Sequence, residues 1–381
     1  MHKHGIRLSA LSAAGRFAEP SGDLLTSIQG LSADDIDYVI RNTNPYELVA
    51  PNGLLGDALF PERRTQELTF AYLKGAGGAA VMAHVTAHTG EAPIVGRKGV
   101  ERISGEIPAL KQKRTQDAQT LIRMQSADDV VRSDAVQEIY DDTTAVRLGI
   151  VAREEKLRMD ALATGVASTI TDENLVFSVD YQVPAGHKAT LSGTDLWSDP
   201  ASKPLEDLER WQNTMVADKG QMMARAVASR KILNALRAHA SVRKAIYGVN
   251  YDKRLTMEEV NAFLATQDLP QFFTNDLIVQ VKNANGTFSP LRLWPEHRIA
   301  LIPDLSFGPL GRTHRGPTAE EGLAGSGVVN GVIAVDDRRT AVHVYVNTQD
   351  PKGIVTLGVA SAFPSFEGAD NIFQAAVLAA S

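Results

Sequence analysis

Few residues in this chain are spaced to do chemistry, and each candidate has a plain structural reading beside it. His84 and His88 stand four apart, the spacing that lets two imidazoles on one helix face grip a metal ion. Around them Val81, Ala83, Val85 and Ala87 alternate with Met82, His84, Thr86 and His88, which is the period of a strand. Four strand residues span roughly 13 Å, too far for one ion, so the two histidines are read as sharing a polar strand face. Glycines cluster at Gly75, Gly77 and Gly78 and again from Gly322 to Gly331. Neither run has the GxGxxG or GK[ST] form of a phosphate loop, so hinges or turns are expected. The chain has no GxSxG elbow. The pairs Asp128-Asp129, Asp141-Asp142 and Glu154-Glu155 are adjacent in sequence, and adjacent helix residues point apart, so solvated faces are expected. Arg312, His314 and Arg315 lie between Gly311 and Gly316; an exposed charged loop is expected, with contact to phosphate or to a neighbouring chain as the alternative. With no cysteine among 381 residues, disulfides, thiolate nucleophiles and cysteine-rich zinc sites are excluded. The expectation is a chain with no catalytic residue, no metal and no cofactor.

The elements that would position such residues follow from composition and periodicity. At 44 % hydrophobic and 22 % charged the chain has globular composition and length for two medium domains. The net charge of −6 argues against a protein whose main task is gripping phosphates, because counterion-release binding needs clustered cations. No apolar run approaches the roughly 18 residues a membrane helix needs, and no signal peptide is recognised, so a soluble intracellular protein with no membrane partner is expected.

Along the chain, residues 1–66 read as an extended arm broken by Pro20, Pro45 and Pro51, with a helix start at Ser32 and Asp35. The run Leu68 to Leu73 is strand-like. Between Gly90 and Asp117, glycines are interleaved with Arg97, Lys98, Glu101, Arg102, Lys111, Lys113 and Arg114; so little apolar side chain cannot make its own core, and 67–118 is read as a long projecting hairpin. Next, Ile139, Thr143, Val146, Ile150, Leu157 and Ala161 recur at helical spacing between Ser133 and Gly165, predicting a helix over 133–164 packed along a sheet, with a coiled coil as the alternative. A strand over Leu175 to Val183 alternates polar and apolar residues. Past a joint at Trp197 to Pro204, a second, α+β unit over 205–331 is predicted: a helix opened by Pro204, one after Ser229, a capping box at Thr256 and Glu259, and a hairpin turning at Asn285-Gly286. Over 332–381 the strands at Val332 to Val335, Val342 to Val346 and Ile354 to Val359 predict a meander. Its expected partner is the Leu175 to Val183 strand, which would leave the second unit inserted in the first.

Three stretches together resemble the lambda-type major capsid protein family of tailed bacteriophages, which has the Hong Kong 97-type fold. Leu59-Phe60-Pro61, Thr65, Leu68 and Phe70 resemble the lead-in to that family's extended loop. Glu91-Ala92-Pro93-Ile94-Val95, the glycine and basic run, Pro108, Lys111 and Lys113 resemble the loop. Trp197-Ser198-Asp199-Pro200, Pro204-Leu205 and Asp207-Leu208 resemble the joint before the axial domain. The resemblance covers about 55–365.

It implies an α+β fold with an N-terminal arm and lead-in (1–66), an extended β-hairpin loop (67–118), a peripheral domain (119–204 with spine helix 133–164, and 332–381) and an inserted axial domain (205–331). It implies a shell protein rather than an enzyme, forming hexamers and pentamers with itself around double-stranded DNA without sequence-specific binding. It also implies assembly in the host cytoplasm, residence in the virion, and portal, scaffolding and decoration proteins as partners. No long charged helical segment precedes the folded region, so a separate scaffolding protein with a maturation protease is expected. Arg97, Lys98, Glu101 and Arg102, near the loop tip, are the expected intersubunit contacts. The alternatives are a cellular compartment shell of the same fold and, from another class, a metal-dependent enzyme.

Overall fold

The computed structural model describes residues 33–50, 53–74, 101–126, 128–170, 176–248, 253–283, 285–324 and 331–380. From the N-terminal side, α1 (Ala33–Asn42), α2 (Pro45–Val49) and α3 (Leu55–Leu59) lead into β1 (Glu62–Arg64) and the antiparallel pair β2 (Thr69–Lys74) and β3 (Glu101–Glu106). β4 (Ala109–Gln116) and α4 (Ala118–Met124) precede α5 (Asp129–Thr164), a helix of 36 residues. The helix starts one turn before the expected Ser133. Asp128 is the N-cap, its side chain accepting from Val130 N, whereas the Ser133 hydroxyl donates to the Val130 carbonyl. Gly165 ends it at φ 77°, a left-handed conformation that costs glycine little.

After α5 come β5 (Val166–Ile170), β6 (Val176–Asp180) and β7 (Lys188–Thr190), then α6 (Pro204–Lys219), β8 (Met223–Ala228), α7 (Arg230–Ala238), α8 (Ala240–Tyr247) and α9 (Met257–Thr266). Local signals start these helices as read: Pro204 opens α6, the Ser229 side chain accepts from Ile232 N, and the Thr256–Glu259 capping box is complete. β9 (Gln271–Thr274), the hairpin β10 (Ile278–Lys282) and β11 (Phe288–Arg292), β12 (Arg298–Pro303) and β13 (Arg312–Gly316) follow. The chain continues through α10 (Ala319–Leu323), β14 (Val332–Val335), β15 (Ala341–Asn347), β16 (Gly353–Ser365) and β17 (Phe373–Ala376).

Two sheets organise these elements. The first runs β1-β13-β16-β15-β14, with β4 also paired to β16. The predicted meander is there, but its partner differs from the expectation: β6 pairs with β5, and the strand beside β16 is β4, from Ile354↔Gln116 to Ser361↔Ala109. The expected loop 67–118 is accordingly shorter at its base. Leu110 is buried against Ile150, Ala360 and Ala362, enough apolar anchorage to hold β4 in the sheet. α5 lies along this sheet and packs tightly at Gly358, where a Cβ would stand 3.0 Å from Val146 Cβ and 3.2 Å from Ile150 Cδ1.

The second sheet runs β7-β17-β12-β8-β9. One face carries Ala226, Ala228, Ile299 and Leu301 into a core with Trp211, Leu236, Val242 and Leu264 of α6 to α9. The other carries Val227, Ala300 and Ile302 into a core shared with Leu157, Ala161 and Leu162 of α5. These pairings do not follow the boundaries expected at 205 and 331: β13 belongs to the first sheet, and β7 and β17 to the second. The reason is long-range pairing, with β13 bonded to β16 from Arg312↔Ser365 to Gly316↔Ser361 and β17 antiparallel to β12 from Leu301↔Phe373 to Arg298↔Ala376.

Candidate functional site

The β2–β3 pair is the element nearest the expected contact residues. Its register runs from Thr69↔Glu106 to Lys74↔Glu101, and one face of it is anchored. Phe70, Tyr72, Ile103 and Ile107 are buried in the main core, and the Phe70 ring stacks at 5.3 Å on His314 and at 5.6 Å on Phe363. Glu101 and Arg102 lie on β3, Arg102 exposed and opposite Leu73. Arg97 and Lys98 lie outside the described residues, as do His84, His88 and the glycines from Gly75 to Gly78.

Beneath the hairpin base is a buried ionic network that includes Glu154, Glu155 and Arg315, which the sequence reading placed in solvent. Glu154 is 1 % and Glu155 0 % exposed, not on a solvated helix face. Arg315 is a buried strand residue, not part of an exposed loop: its guanidinium donates to both Glu154 oxygens at 3.0 and 2.7 Å and ion-pairs with Glu62 at 2.8 Å. Arg158, fully buried, ion-pairs with Asp57 at 2.7 Å, Glu155 at 3.4 Å and Glu154 at 3.8 Å, and its Nε donates to Thr313 Oγ1 at 2.9 Å. Glu155 accepts from the Gly56 amide at 3.0 Å. Arg338 bridges Asp57 and Glu62 at 3.0 and 3.1 Å. Alongside, Arg147 joins Asp336 at 3.2 Å and the Thr43 carbonyl at 2.9 Å, and Arg339 joins Glu321 at 2.9 Å and the Thr65 carbonyl at 2.7 Å. Together these links tie α5 and the β14–β15 turn to the lead-in 43–65 and to β13.

Burial pushes Glu155 above the usual carboxylate range, against Arg158 and the Gly56 N–H, which pull it down. Burial draws the Arg158 guanidinium down, but Glu154, Glu155 and Asp57 more than offset it and hold it charged. Burial, with Arg63 and Arg312 nearby, lowers His314 to about 4. The imidazole is neutral at pH 7 and its Nε2 meets Ser365 Oγ at 2.9 Å.

One signal for this network was present in the sequence. Glu154 is four residues past Ile150 and three before Leu157, so it lies on the stripe that faces the core, and a carboxylate there requires a buried cation.

The chemistry available is structural. The carboxylates of the network are all committed to arginines. Among the described residues no group of three or more His, Cys, Asp or Glu could hold a metal ion, and no helix is long and apolar enough to cross a membrane. A cleft of about 1440 Å³ lies between α3 and the β9 edge of the second sheet; its described lining includes Asp57, Arg230, Phe273 and Asp276 but no histidine.

A family model described as phage major capsid protein E matches residues 42–375. The major capsid protein of Pseudomonas phage JBD67 is 29 % identical over 121 residues, which is 32 % of this chain and 37 % of that protein, so the alignment spans little more than a third of the relative. Among solved structures, one assigned as the capsid protein of a prophage of Escherichia coli CFT073 superposes with a TM-score of 0.57 at 13 % identity, covering 91 % of this chain and 99 % of that one. A phage-related protein of Bordetella bronchiseptica RB50 gives a TM-score of 0.50 at 14 % identity, covering 91 % and 98 %. At such identities the superpositions show a shared fold, and that fold is of the Hong Kong 97 type.

Proposed function

The chain belongs to the phage major capsid protein E family, and from that premise we propose that it assembles with copies of itself into the icosahedral shell that encloses a phage's double-stranded DNA. The observation that carries this reading is the family match over 42–375. A family of structural proteins also favours a non-catalytic role and a place in the virion over a cellular compartment or a metal enzyme.

The expected domain roles are part of the proposal, redrawn on the sheets: a peripheral body on the β1–β14 sheet with α5 as its spine, and an axial body on the β7–β9 sheet. Arg97, Lys98, Glu101 and Arg102 are proposed to contact a neighbouring subunit. The exposure of Arg102 on a hairpin whose base is pinned by Phe70 and the ionic network supports this. A firm base lets a charged tip meet a partner at fixed register. The net acidity suits a container that releases its DNA, and portal, scaffolding and decoration proteins remain proposed partners, with assembly in the host cytoplasm.

Negative-stain microscopy of the overproduced full chain, alone and with the product of a neighbouring scaffolding gene, tests the proposal. Closed shells are expected. A monomer in both preparations, at concentrations well above those in an infected cell, would overturn it.

A further inference from the structure

The second sheet ends at β9, which among the described strands pairs with β8 alone. Such an edge presents main-chain donors and acceptors to any passing strand, and where copies of one chain gather, those copies supply the strands it meets first. Along β9 the direction of these groups alternates. Asn275 N donates to the Ala228 carbonyl at 3.0 Å, so Asn275 and, before it, Phe273 face β8, while Phe272 and Thr274 turn their N–H and C=O away from the sheet. On this strand of 4 residues, an incoming strand would have Phe272 and Thr274 to bond.

Phe272 is already taken. Asn261, on α9, spans it with its carboxamide: Oδ1 accepts from the Phe272 N–H at 2.8 Å and Nδ2 donates to the Phe272 carbonyl at 3.0 Å. The side chain stands where the main chain of a neighbouring strand would stand and bonds the same two groups. Helix formation does not call for asparagine here, because Asn261 lies inside α9, past the Thr256 cap, where asparagine is a weak helix former. On the same strand Arg225 of β8 holds its guanidinium 5.1 Å from the Phe273 ring, so a charge overlies the exposed aromatic of the edge. The cleft beside Phe273 and Thr274 makes the edge reachable, and a reachable edge needs a guard.

We infer that Asn261 closes the β9 edge against a strand of a second copy: it is an autoinhibitory contact that keeps the second sheets of neighbouring copies from joining edge on. The inference goes beyond the shell reading, because the edge is closed whether or not a shell forms.

The test uses the full chain, with copies outside closed particles followed by sedimentation velocity and by the infrared band of intermolecular sheet. Asn261→Ala opens the edge while favouring the helix. It should keep the wild-type circular dichroism and raise self-association about tenfold, because a strand bonded to Phe272 gains two main-chain hydrogen bonds. Adding Thr274→Pro removes the other outward N–H and should return association to near the wild-type level, although α9 remains untethered. Thr274→Lys serves as the second guard if proline disturbs the strand, and Asn261→Leu, which keeps the volume, serves if alanine loosens α9. Unchanged sedimentation of folded Asn261→Ala and Asn261→Leu would overturn the inference. So would multimers that persist with either residue at position 274, which would make Asn261 a tether of α9 and nothing more, or unfolding of both Asn261 variants. The readout lies outside closed particles, so it stands or falls separately from the shell reading.

Discussion

Replacing Arg315 by methionine removes the cation at the centre of the buried network while leaving volume and apolar stem. Glu154, 1 % exposed, would lose the bonds at 3.0 and 2.7 Å and keep only Arg158 at 3.8 Å, a guanidinium already shared with Asp57 and Glu155. Glu62 is about a quarter exposed and can turn to water, so most of the cost falls on Glu154. Leaving one partner of a buried pair uncompensated costs about 3–5 kcal/mol, and some of that is recovered if Glu154 takes up a proton. The expected loss is therefore about 3 kcal/mol, read as a shift on the order of 1 M in the urea midpoint of the unassembled chain. Arg315→Met with Glu154→Leu removes both charges and should lie closer to wild type than Arg315→Met alone, a coupling of about 2 kcal/mol in the cycle. A loss below about 1 kcal/mol for Arg315→Met, or simple additivity in the double variant, would refute the view that this pair pins the lead-in and β13 to the spine helix.

Three further outcomes are expected. Glutamate at Arg97, Lys98 and Arg102 together should leave circular dichroism unchanged but abolish shells, whereas glutamate at the exposed Ala262, Ala265 and Thr266 of α9 should assemble normally; normal shells from the first variant would defeat the contact assignment. His314, lowered to about 4 from 6.5, binds fewer protons folded than unfolded, so its contribution is complete above pH 6.5 and is lost as pH falls towards 4, by at most about 3 kcal/mol. Glu155, raised by burial, works in the opposite sense, so the readout is the difference between wild type and His314→Gln: the variant's stability should fall less between pH 6.5 and 4 in urea titrations, and an equal fall would exclude His314 as the source. Gly358→Ala places a Cβ 3.0 Å from Val146, and the resulting overpacking should cost about 1–3 kcal/mol; an unchanged melting temperature would mean that α5 does not bear on the sheet there.

What could be read from the sequence was whatever is encoded within a few residues. Gly165, Ser229 and the Thr256–Glu259 box each start or stop a helix through a bond to a near neighbour, Pro204 starts one through its fixed φ, and the turn after Val335 returns the chain along its own strand. Strand partners were not legible, because nothing in Ala109–Gln116 names Ile354–Ser361 as its mate: the alternation fixes a face, not a neighbour. For the same reason Arg315 was not matched to Glu154, nor Arg158 to Asp57. An ion pair made across about a hundred residues or more leaves no local pattern except a charge where a core position should be. Of the expected contact residues, Arg102 sits on the exposed side of a paired strand, and Arg97 and Lys98 fall outside the described residues.

The pairing of β16 also sets a clock. This strand joins β4, β13 and β15, and β17 closes onto β12, yet both are synthesised after every other described strand. While the ribosome adds residues at roughly 5–20 per second, β4 waits without its mate, β13 has only β1 beside it, and Phe70 has no Phe363 ring beneath it. The hairpin base therefore sets only in a chain made to that length. In the proposed shell, a truncated polypeptide would offer no correctly seated hairpin to a neighbour, so unfinished copies would be kept out without a separate inspector.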